Sequence, residues 1–255
     1  MQMSFNTSKC KVMHLGKRNL LASYVMLDQS TEECTLERTS VEKDLGVHID
    51  DKLSFNDHIV TQVNKANRAL GALKHTFKFI DKHSFKYLYK SLIRPYLEYA
   101  SVAWSARFKY SQDMIERVQR RATKIVPELK HLSYPERLKV LDLPTLAFRR
   151  KRADVLQMFK FMHGFDFFDF DHVCDICERP AFQRTMLSTT RGHPYKLQVP
   201  LCGAIKKHSF FGRVVPLWNG LKHGTVCSET VNEFKNCLAK EWNDHQDLFE
   251  YSFSY

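Results

Sequence analysis

Apolar residues between positions 54 and 126 return every three or four places, which is the period of a helix with one buried face. The pattern predicts three successive helices. The first begins after Ser54 or Asn56, the second runs from Phe85 towards Ala103, and the third continues to Val126. The second is apolar nearly all round, so we expect it to lie in the middle of the core.

Cations accompany these helices on the sides away from the apolar stripes. Lys65 and Arg68 lie opposite the stripe of the first helix. A solvated surface accounts for any one such helix. Successive helices with the same arrangement favour a shared anionic partner instead. The third helix carries the most regular set on a helical wheel: Arg117, Arg120, Arg121 and Lys124.

Upstream of the helices, short and partly alternating apolar runs predict strands. They cover Cys10–Leu15, Ser23–Leu27 and Val41–Ile49. Strands this few and this short form a sheet edge and not a complete domain. We therefore predict an α+β fold that is mainly α.

Downstream, Ser133 and Glu136 have the spacing of a capping box at the start of a short helix. The next helix carries the densest basic run of the chain, and Arg149, Arg150 and Arg152 join the candidate anion-binding residues. Cations in an unbroken run point around the whole helix, so they cannot all contact one ligand.

A shift in composition at the aromatic and acidic residues 165–170 indicates a boundary. We predict three parts. Residues 1–57 hold the strands, residues 58–164 form a helical domain, and residues 165–255 form an α-rich region that packs back on the rest.

Charge changes the picture most. The formal net charge is +11, and residues 61–165 alone contain 22 Lys and Arg against 8 Asp and Glu. This surplus favours nucleic acid or an acidic membrane surface as the partner. We rank the membrane surface lower, because the apolar stripes of the basic helices are needed for a core. No window approaches the roughly 18 uninterrupted apolar residues of a membrane span.

The cysteines give little support for a metal site. Seven cysteines without a regular framework indicate a reducing, intracellular setting and no disulfides. His172, Cys174 and Cys177 suggest zinc, but a structural zinc needs about four ligands and no second Cys-x-x-Cys pair follows. We predict no metal site. Further potential ligands show no ordered spacing: His193, Cys202 and His208.

The pair Asp50-Asp51 follows an apolar residue, which is how polymerases present metal-binding carboxylates. Two-metal phosphoryl transfer needs a further carboxylate from a separate strand. Asp28 and Asp44 are the only earlier aspartates, and neither lies in a suitable strand pattern. We expect Asp50 and Asp51 to form a turn that leads to the cap of the first helix. Common nucleotide-binding and hydrolase motifs are absent from the sequence.

A series of motifs nevertheless stands in a fixed order along nearly the whole chain. They are Phe5-Asn6-x-x-Lys9-Cys10, Lys43-Asp44-Leu45-Gly46-Val47, Lys65-Ala66-Asn67, Leu88–Ala100 with Trp104, Glu116–Lys124, Tyr134-x-Glu136-Arg137-Leu138, Leu143-Pro144, Thr190-Arg191-Gly192-His193 and Ser209-Phe210-Phe211. Together they resemble the reverse transcriptases of non-LTR retrotransposons of the jockey-like kind.

The resemblance implies a place for each part of the chain. Residues 1–57 would be the end of the polymerase palm, in which Lys9 matches a lysine near the leaving pyrophosphate. Leu45, Gly46 and Val47 match the hairpin that grips the primer end. The helices that follow match the thumb, which holds an RNA or DNA template–primer duplex.

The resemblance also implies what this chain lacks. Its sequence contains no Ala-Asp-Asp, and the family's earlier catalytic aspartate and its endonuclease have no counterpart here. The family often has proline after Trp-Asn-x-Leu, where this chain has Lys222. We therefore expect no polymerase activity from the chain alone, no cofactor of its own, and Mg²⁺ only in the full-length family enzyme. The missing palm would be its second partner.

An alternative from another class stays open. The chain is then a non-catalytic remnant, or a recruited protein-interaction module, without a nucleic-acid role. Apolar surfaces that the palm normally covers would be exposed in such a protein.

Overall fold

The computed structural model describes residues 5–16, 19–27, 32–167, 193–197, 199, 206–243 and 248–253. Its contacts divide the chain into two units, Met1–Gln62 and Val63–Tyr255. The predicted α+β class with a predominance of helix is confirmed for the described residues. Residues 193–253, where described, belong to the same unit as the helices before them.

The first unit contains a 3₁₀ turn at Thr7–Lys9 and three two-stranded sheets. Strand β1 (Lys11–Met13) pairs in parallel with β4 (Glu37–Thr39). Strand β2 (Val25–Leu27) pairs with β3 (Glu33–Thr35) in antiparallel orientation. Each of these four strands is only three residues long.

The third sheet is a tight hairpin of β5 (Val41–Asp44) and β6 (Val47–Asp50). Leu45 and Gly46 between the strands have φ values of +42° and +87°. Positive φ at both central residues gives the turn a twist that matches the right-handed twist of the two strands, which is why two-residue hairpins favour it. The prediction of one strand over 41–49 is therefore wrong, because the chain reverses in its middle.

Asp50 organises the turn that follows. Its carboxylate accepts hydrogen bonds from the backbone N–H groups of Lys52 (3.1 Å), Ser54 (3.0 Å) and Phe55 (2.6 Å). Leu53 and Phe55 hold φ near +51° and +57°, a costly conformation for residues other than glycine. The predicted turn before the first helix is confirmed, and Asp50 holds it in place.

That helix, α1, spans Asn56–Thr76. The predicted apolar stripe is buried along it, and only its last member, Phe77, lies beyond the helix and is exposed. The buried members are Ile59, Val63, Ala66, Leu70 and Leu73.

The second predicted helix is interrupted. It consists of α2 (Lys82–Leu88), a π-helical turn at Tyr89–Ile93 and α3 (Arg94–Glu98). Pro95 has no N–H and its ring crowds the carbonyl four residues earlier, and the wider π turn relieves that contact. Pro95 therefore lies in the first turn of α3, where its missing N–H costs no hydrogen bond.

The helix does not reach Ala103 as predicted. Tyr99 has a non-helical ψ of 128° and Ala100 has φ of +52°, so the chain turns away after Glu98. Trp104 follows in the turn, fully buried, and its indole N–H donates to the Tyr99 carbonyl at 2.7 Å.

The next three helices are α4 (Lys109–Ala122), α5 (Tyr134–Leu141) and α6 (Leu146–Met162). A 3₁₀ turn, Pro127–Leu129, lies between α4 and α5. The predicted capping box is confirmed, since the Ser133 N–H donates to Glu136 Oε2 at 2.7 Å.

The C-terminal helices pack on α6. They are α7 (Phe210–Asn219), the short α8 (His223–Val226) and α9 (Val231–Glu241), after a 3₁₀ turn at Lys206–His208. Phe159 of α6 stacks on Phe234 of α9 with ring centroids 4.1 Å apart. Arg213 of α7 forms a bidentate ion pair with the buried Asp154 of α6 (2.7 and 2.9 Å). A shared core therefore joins residues on both sides of position 165.

Replacing Asp50 with alanine should lower the free energy of unfolding by about 2–3 kcal/mol, because a charged acceptor of several backbone N–H groups is lost. Urea unfolding followed by circular dichroism measures the change. Asp51→Ala is the matched control and should stay within about 0.5 kcal/mol of the parent. Equal losses from the two variants would contradict the role given to Asp50.

Candidate nucleic-acid interface

Helix α4 is amphipathic, with one buried apolar side and one exposed basic side. Ile115, Val118 and Ala122 are buried, as the pattern predicts. The four predicted cations on the opposite side are all exposed, and none forms an ion pair with a described acidic residue. We call this set the α4 basic face: Arg117, Arg120, Arg121 and Lys124.

A buried carboxylate fixes the position of α4 against the start of α6. Glu116 is fully buried and accepts hydrogen bonds from the N–H groups of Leu146 (3.0 Å) and Ala147 (3.3 Å), which open α6. A negative charge at a helix N-terminus is stabilised by the unpaired N–H groups there. Burial raises the pKa of Glu116, and these hydrogen bonds together with the charge of Arg150 oppose the rise.

Gln119, one turn further along, completes this buried network. Its side chain accepts from the Tyr89 hydroxyl at 2.6 Å and donates to the Pro144 carbonyl at 3.0 Å. The Tyr134 hydroxyl donates to Glu116 Oε1 at 2.6 Å. Burial raises the pKa of both tyrosines well above the usual value, so both hydroxyls keep their protons at neutral pH.

Arg137 stabilises the C-terminal end of α4. It is buried, and its guanidinium donates to Thr123 Oγ1 (3.0 Å) and to the Leu132 carbonyl (2.6 Å). A third contact, at 3.5 Å, reaches the Arg120 carbonyl in the last turn of α4. A cation is favourable at a helix C-terminus, where carbonyl groups are unpaired. The exposed Arg120, Arg121 and Lys124 lie at the same end and gain from the same field.

Three open concavities, of about 500, 370 and 490 Å³, adjoin the C-terminal half of α4. Lys124 lines all three of them, so they are neighbours at this end of the helix. None of the described residues that line them is acidic. The cations that line at least one are Lys74, Lys78, Arg117, Arg120, Arg121, Lys124, Lys130 and Arg137.

The end of α1 contributes to this surface. Arg121 Nη2 donates to Asn67 Oδ1 at 2.7 Å and so joins α4 to α1. Lys74 and Lys78 line one of the concavities. Lys65 and Arg68, predicted as candidates, are exposed on α1 but line none of the three.

The structure places the basic run of α6 elsewhere. Arg149 forms two bonds with Glu98, one from Nε and one from Nη2 at 2.9 Å, and Arg94 contacts the same carboxylate at 3.4 Å. One carboxylate is thus shared by two guanidinium groups. These contacts engage the Arg149 guanidinium within the chain.

Arg150 and Arg152 are also turned inward. Arg150 is buried, and burial lowers its pKa while the nearby Glu116 raises it. Arg152 is half-buried and its Nη2 lies 3.4 Å from the Lys235 carbonyl. We therefore leave Arg149, Arg150 and Arg152 out of the α4 basic face.

The remaining candidates belong to the first unit. Lys9 ends the 3₁₀ turn there and is exposed. Leu45, at the tip of the β5–β6 hairpin, is 84% exposed, whereas Val47 is buried. Gly46 is partly buried, so only Leu45 projects from this turn.

The candidate zinc ligands His172, Cys174, Cys177 and Cys202 lie outside the described residues. His193 is buried, and its Nε2 lies 3.0 Å from the Trp218 carbonyl. Burial lowers its pKa. In the part of the chain that the structure describes, no three His, Cys, Asp or Glu side chains are grouped to hold a metal.

Sequence reasoning missed several residues that line the concavities. Lys130 lies in the connection between α4 and α5, and Arg137 lies in α5. Both belong to residues 61–165, which carry the surplus of cations. No sequence pattern pointed to the aromatic residues Tyr251 and Phe253, because only folding brings position 253 beside position 120.

Comparison of this chain with protein-family models, curated proteins and solved structures found no match. Among the described residues, no helix is both long and apolar enough to cross a membrane.

Replacing Arg149 with glutamine should lower the free energy of unfolding by about 1–3 kcal/mol, because Glu98 loses its bidentate partner. The matched change Arg121→Gln removes one exposed hydrogen bond and should cost less than about 0.5 kcal/mol. Urea unfolding of both variants compares them. If Arg121→Gln proved the more destabilising, the division between internal and surface arginines would fail.

Proposed function

We propose that this chain binds a template–primer duplex of RNA or DNA through the α4 basic face, as the thumb of a non-LTR retrotransposon reverse transcriptase. The observation that carries the proposal is a group of three neighbouring concavities lined by cations and by no acidic side chain among the described residues. A solvated helix face ordinarily mixes both signs of charge. A surface of one sign is the electrostatic footprint of a nucleic-acid partner.

The physical chemistry suits a duplex better than a small anion. The concavities are open and all adjoin the C-terminal half of α4, so several phosphates of a backbone can be neutralised at the same time. Contacts of this kind supply affinity without reading the sequence, and they release condensed counterions. Arginine forms two parallel hydrogen bonds to one phosphate, and the α4 basic face offers three arginines.

The resemblance supports the same assignment. Its motifs Leu88–Ala100 and Glu116–Lys124 coincide with the helices that bury the core and present the α4 basic face. In the first unit, the resemblance matches the β5–β6 hairpin to the family's primer grip and Lys9 to its pyrophosphate-side lysine. Since the sequence contains no Ala-Asp-Asp, we propose a role in holding the duplex and no nucleotide transfer by the chain alone.

Replacing Arg117, Arg120, Arg121 and Lys124 together with glutamine should reduce duplex affinity and flatten its dependence on salt. Each lost phosphate contact removes about one unit from the slope of log affinity against log salt concentration. Fluorescence anisotropy with a labelled duplex, between about 50 and 200 mM salt, measures the slope.

The control variant changes net charge equally but lies off the concavities. It replaces Lys139, Lys207, Lys222 and Lys240, all exposed, with glutamine. This variant should keep most of the parent's slope. If both variants lost the same slope, binding would follow overall charge and not the α4 basic face. If the parent bound no duplex at low salt, the proposed function itself would fail.

A second candidate function is supported by exposed apolar side chains on α2, α3 and the turns around them. Tyr87 is 63% exposed, and Leu92 and Tyr99 are at least half exposed. Large exposed apolar residues on one short stretch of chain mark surfaces that contact other proteins. The chain would then be a protein-interaction module without a nucleic-acid role.

Measuring the molecular mass of the purified chain at increasing concentration distinguishes the duplex-binding thumb from the protein-interaction module. A monomer that binds no duplex favours an independent interaction module. Association that disappears on adding a palm domain in trans, or on replacing Leu92 and Tyr99 with serine, favours a thumb that lacks its palm. Size-exclusion chromatography with light scattering makes the measurement, with duplex binding assayed on the same samples.

A further inference from the structure

One of the three concavities differs from the others in its aromatic lining. It holds about 370 Å³, within the range of small-molecule sites, and lies between the end of α4, the start of α5 and residues 248–253. We call it the aromatic pocket. Its aromatic members are Tyr134, Tyr251 and Phe253, and its cationic members are Arg120, Lys124, Lys130 and Arg137.

The aromatic floor is held rigidly by buried acids. The Tyr134 hydroxyl donates to Glu116, and the Tyr251 hydroxyl donates to the buried Asp113 at 2.8 Å. Phe253 packs edge-on against Tyr251, with centroids 4.9 Å apart, and is tilted against Tyr134 at 6.1 Å. Rings fixed in this way lose little conformational entropy when a ligand binds.

The segment that carries these rings is anchored along α4 and α6. The Thr145 N–H donates to the Leu248 carbonyl at 2.9 Å. Lys109 donates to the Ser252 carbonyl and lies 4.0 Å from the centroid of the Tyr251 ring. Arg120 lies over the Phe253 ring at 4.8 Å. The pocket is therefore formed by the chain itself before any ligand enters.

The cations of the pocket divide into two pairs. Arg137 is buried and bonded to the end of α4, and Arg120 rests on Phe253, so both shape the site and its field. Lys124 and Lys130 are exposed at its edge, and neither forms an ion pair with a described acidic residue. They are placed to contact an anionic group at the rim.

Duplex phosphates need cations but no aromatic rings. An unstacked base, in contrast, gains affinity by stacking on an aromatic side chain or an arginine plane, and its phosphate gains from nearby cations. The aromatic pocket combines these features in one volume.

We propose that the aromatic pocket binds a single unpaired nucleotide, with its base against Phe253 and its phosphate at Lys124 and Lys130. This extends the proposed function, because the same end of α4 would hold a duplex and a nucleotide beyond its paired region. The nucleotide comes either from an unpaired strand end or from the free mononucleotide pool.

The test uses 2-aminopurine, whose fluorescence is quenched when it stacks. One probe is a duplex with a single 2-aminopurine overhang, and the other is the free 2-aminopurine nucleoside 5′-monophosphate. We expect the chain to quench at least one of the two. Quenching of the overhang alone assigns the strand end as the source, and quenching of the free nucleotide alone assigns the pool. Quenching of neither would overturn the proposal.

Variants at Phe253 show whether the ring is responsible. Phe253→Leu keeps an apolar side chain but removes the ring, and should weaken probe binding about 5- to 150-fold, the equivalent of one lost base–aromatic stack. Phe253→Tyr keeps the ring and should retain the quenching. Lys124→Gln with Lys130→Gln should weaken binding mainly at low salt. Unchanged quenching in Phe253→Leu would overturn the proposal.

The design keeps this inference separate from the proposed function. A blunt duplex without 2-aminopurine, measured by anisotropy, reports the α4 basic face alone. Binding of the blunt duplex without quenching of either probe rejects the aromatic pocket and keeps the duplex surface. Quenching of the free nucleotide without blunt-duplex binding keeps the pocket and rejects the duplex surface. The melting temperature of each variant shows that the fold is retained.

Discussion

The fully buried carboxylate of Glu116 is the interaction on which the second unit depends. A carboxylate inside a protein is tolerated only when its acceptor sites are filled. Here the N-terminus of α6 and the Tyr134 hydroxyl fill them, and these groups lie on two different helices. One side chain of α4 therefore determines where α5 and α6 begin relative to it.

The same carboxylate specifies the rotation of α4 about its own axis. The apolar stripe of this helix is narrow, so rotations of the helix to either side of the observed one would be similar in energy if the stripe alone decided. Glu116 and Gln119 lie on the buried side, and the residues directly after each of them, Arg117 and Arg120, lie on the exposed side. Turning the helix by one position would expose the buried network and bury an arginine. The position of the α4 basic face thus follows from polar groups in the core.

Periodicity and local chemistry were enough to predict most of the helices. The stripe from Ile59 to Leu73, the capping box at Ser133 and the turn at Asp50 rest on neighbours within a few residues, which a sequence displays. Periodicity did not show the hairpin at Leu45, which only the resemblance implied, because the alternating pattern continues through a reversal that needs only two residues with positive φ. The end of the second helix at Glu98 was hidden too, since Trp104 draws the chain inward from beyond the periodic run.

The candidate site shows the limit of counting charges. Arg121 and Arg149 are the same residue type on amphipathic helices, and no sequence pattern separates them. Their roles differ because Glu98 lies within reach of Arg149, 51 positions away in sequence. The guanidinium group suits carboxylates and phosphates equally well, so an arginine becomes available to a ligand only where folding brings no acid to it. The concavities beside α4 meet that condition along their described lining, and this property, more than the net charge, makes them the best candidate surface for a polyanion.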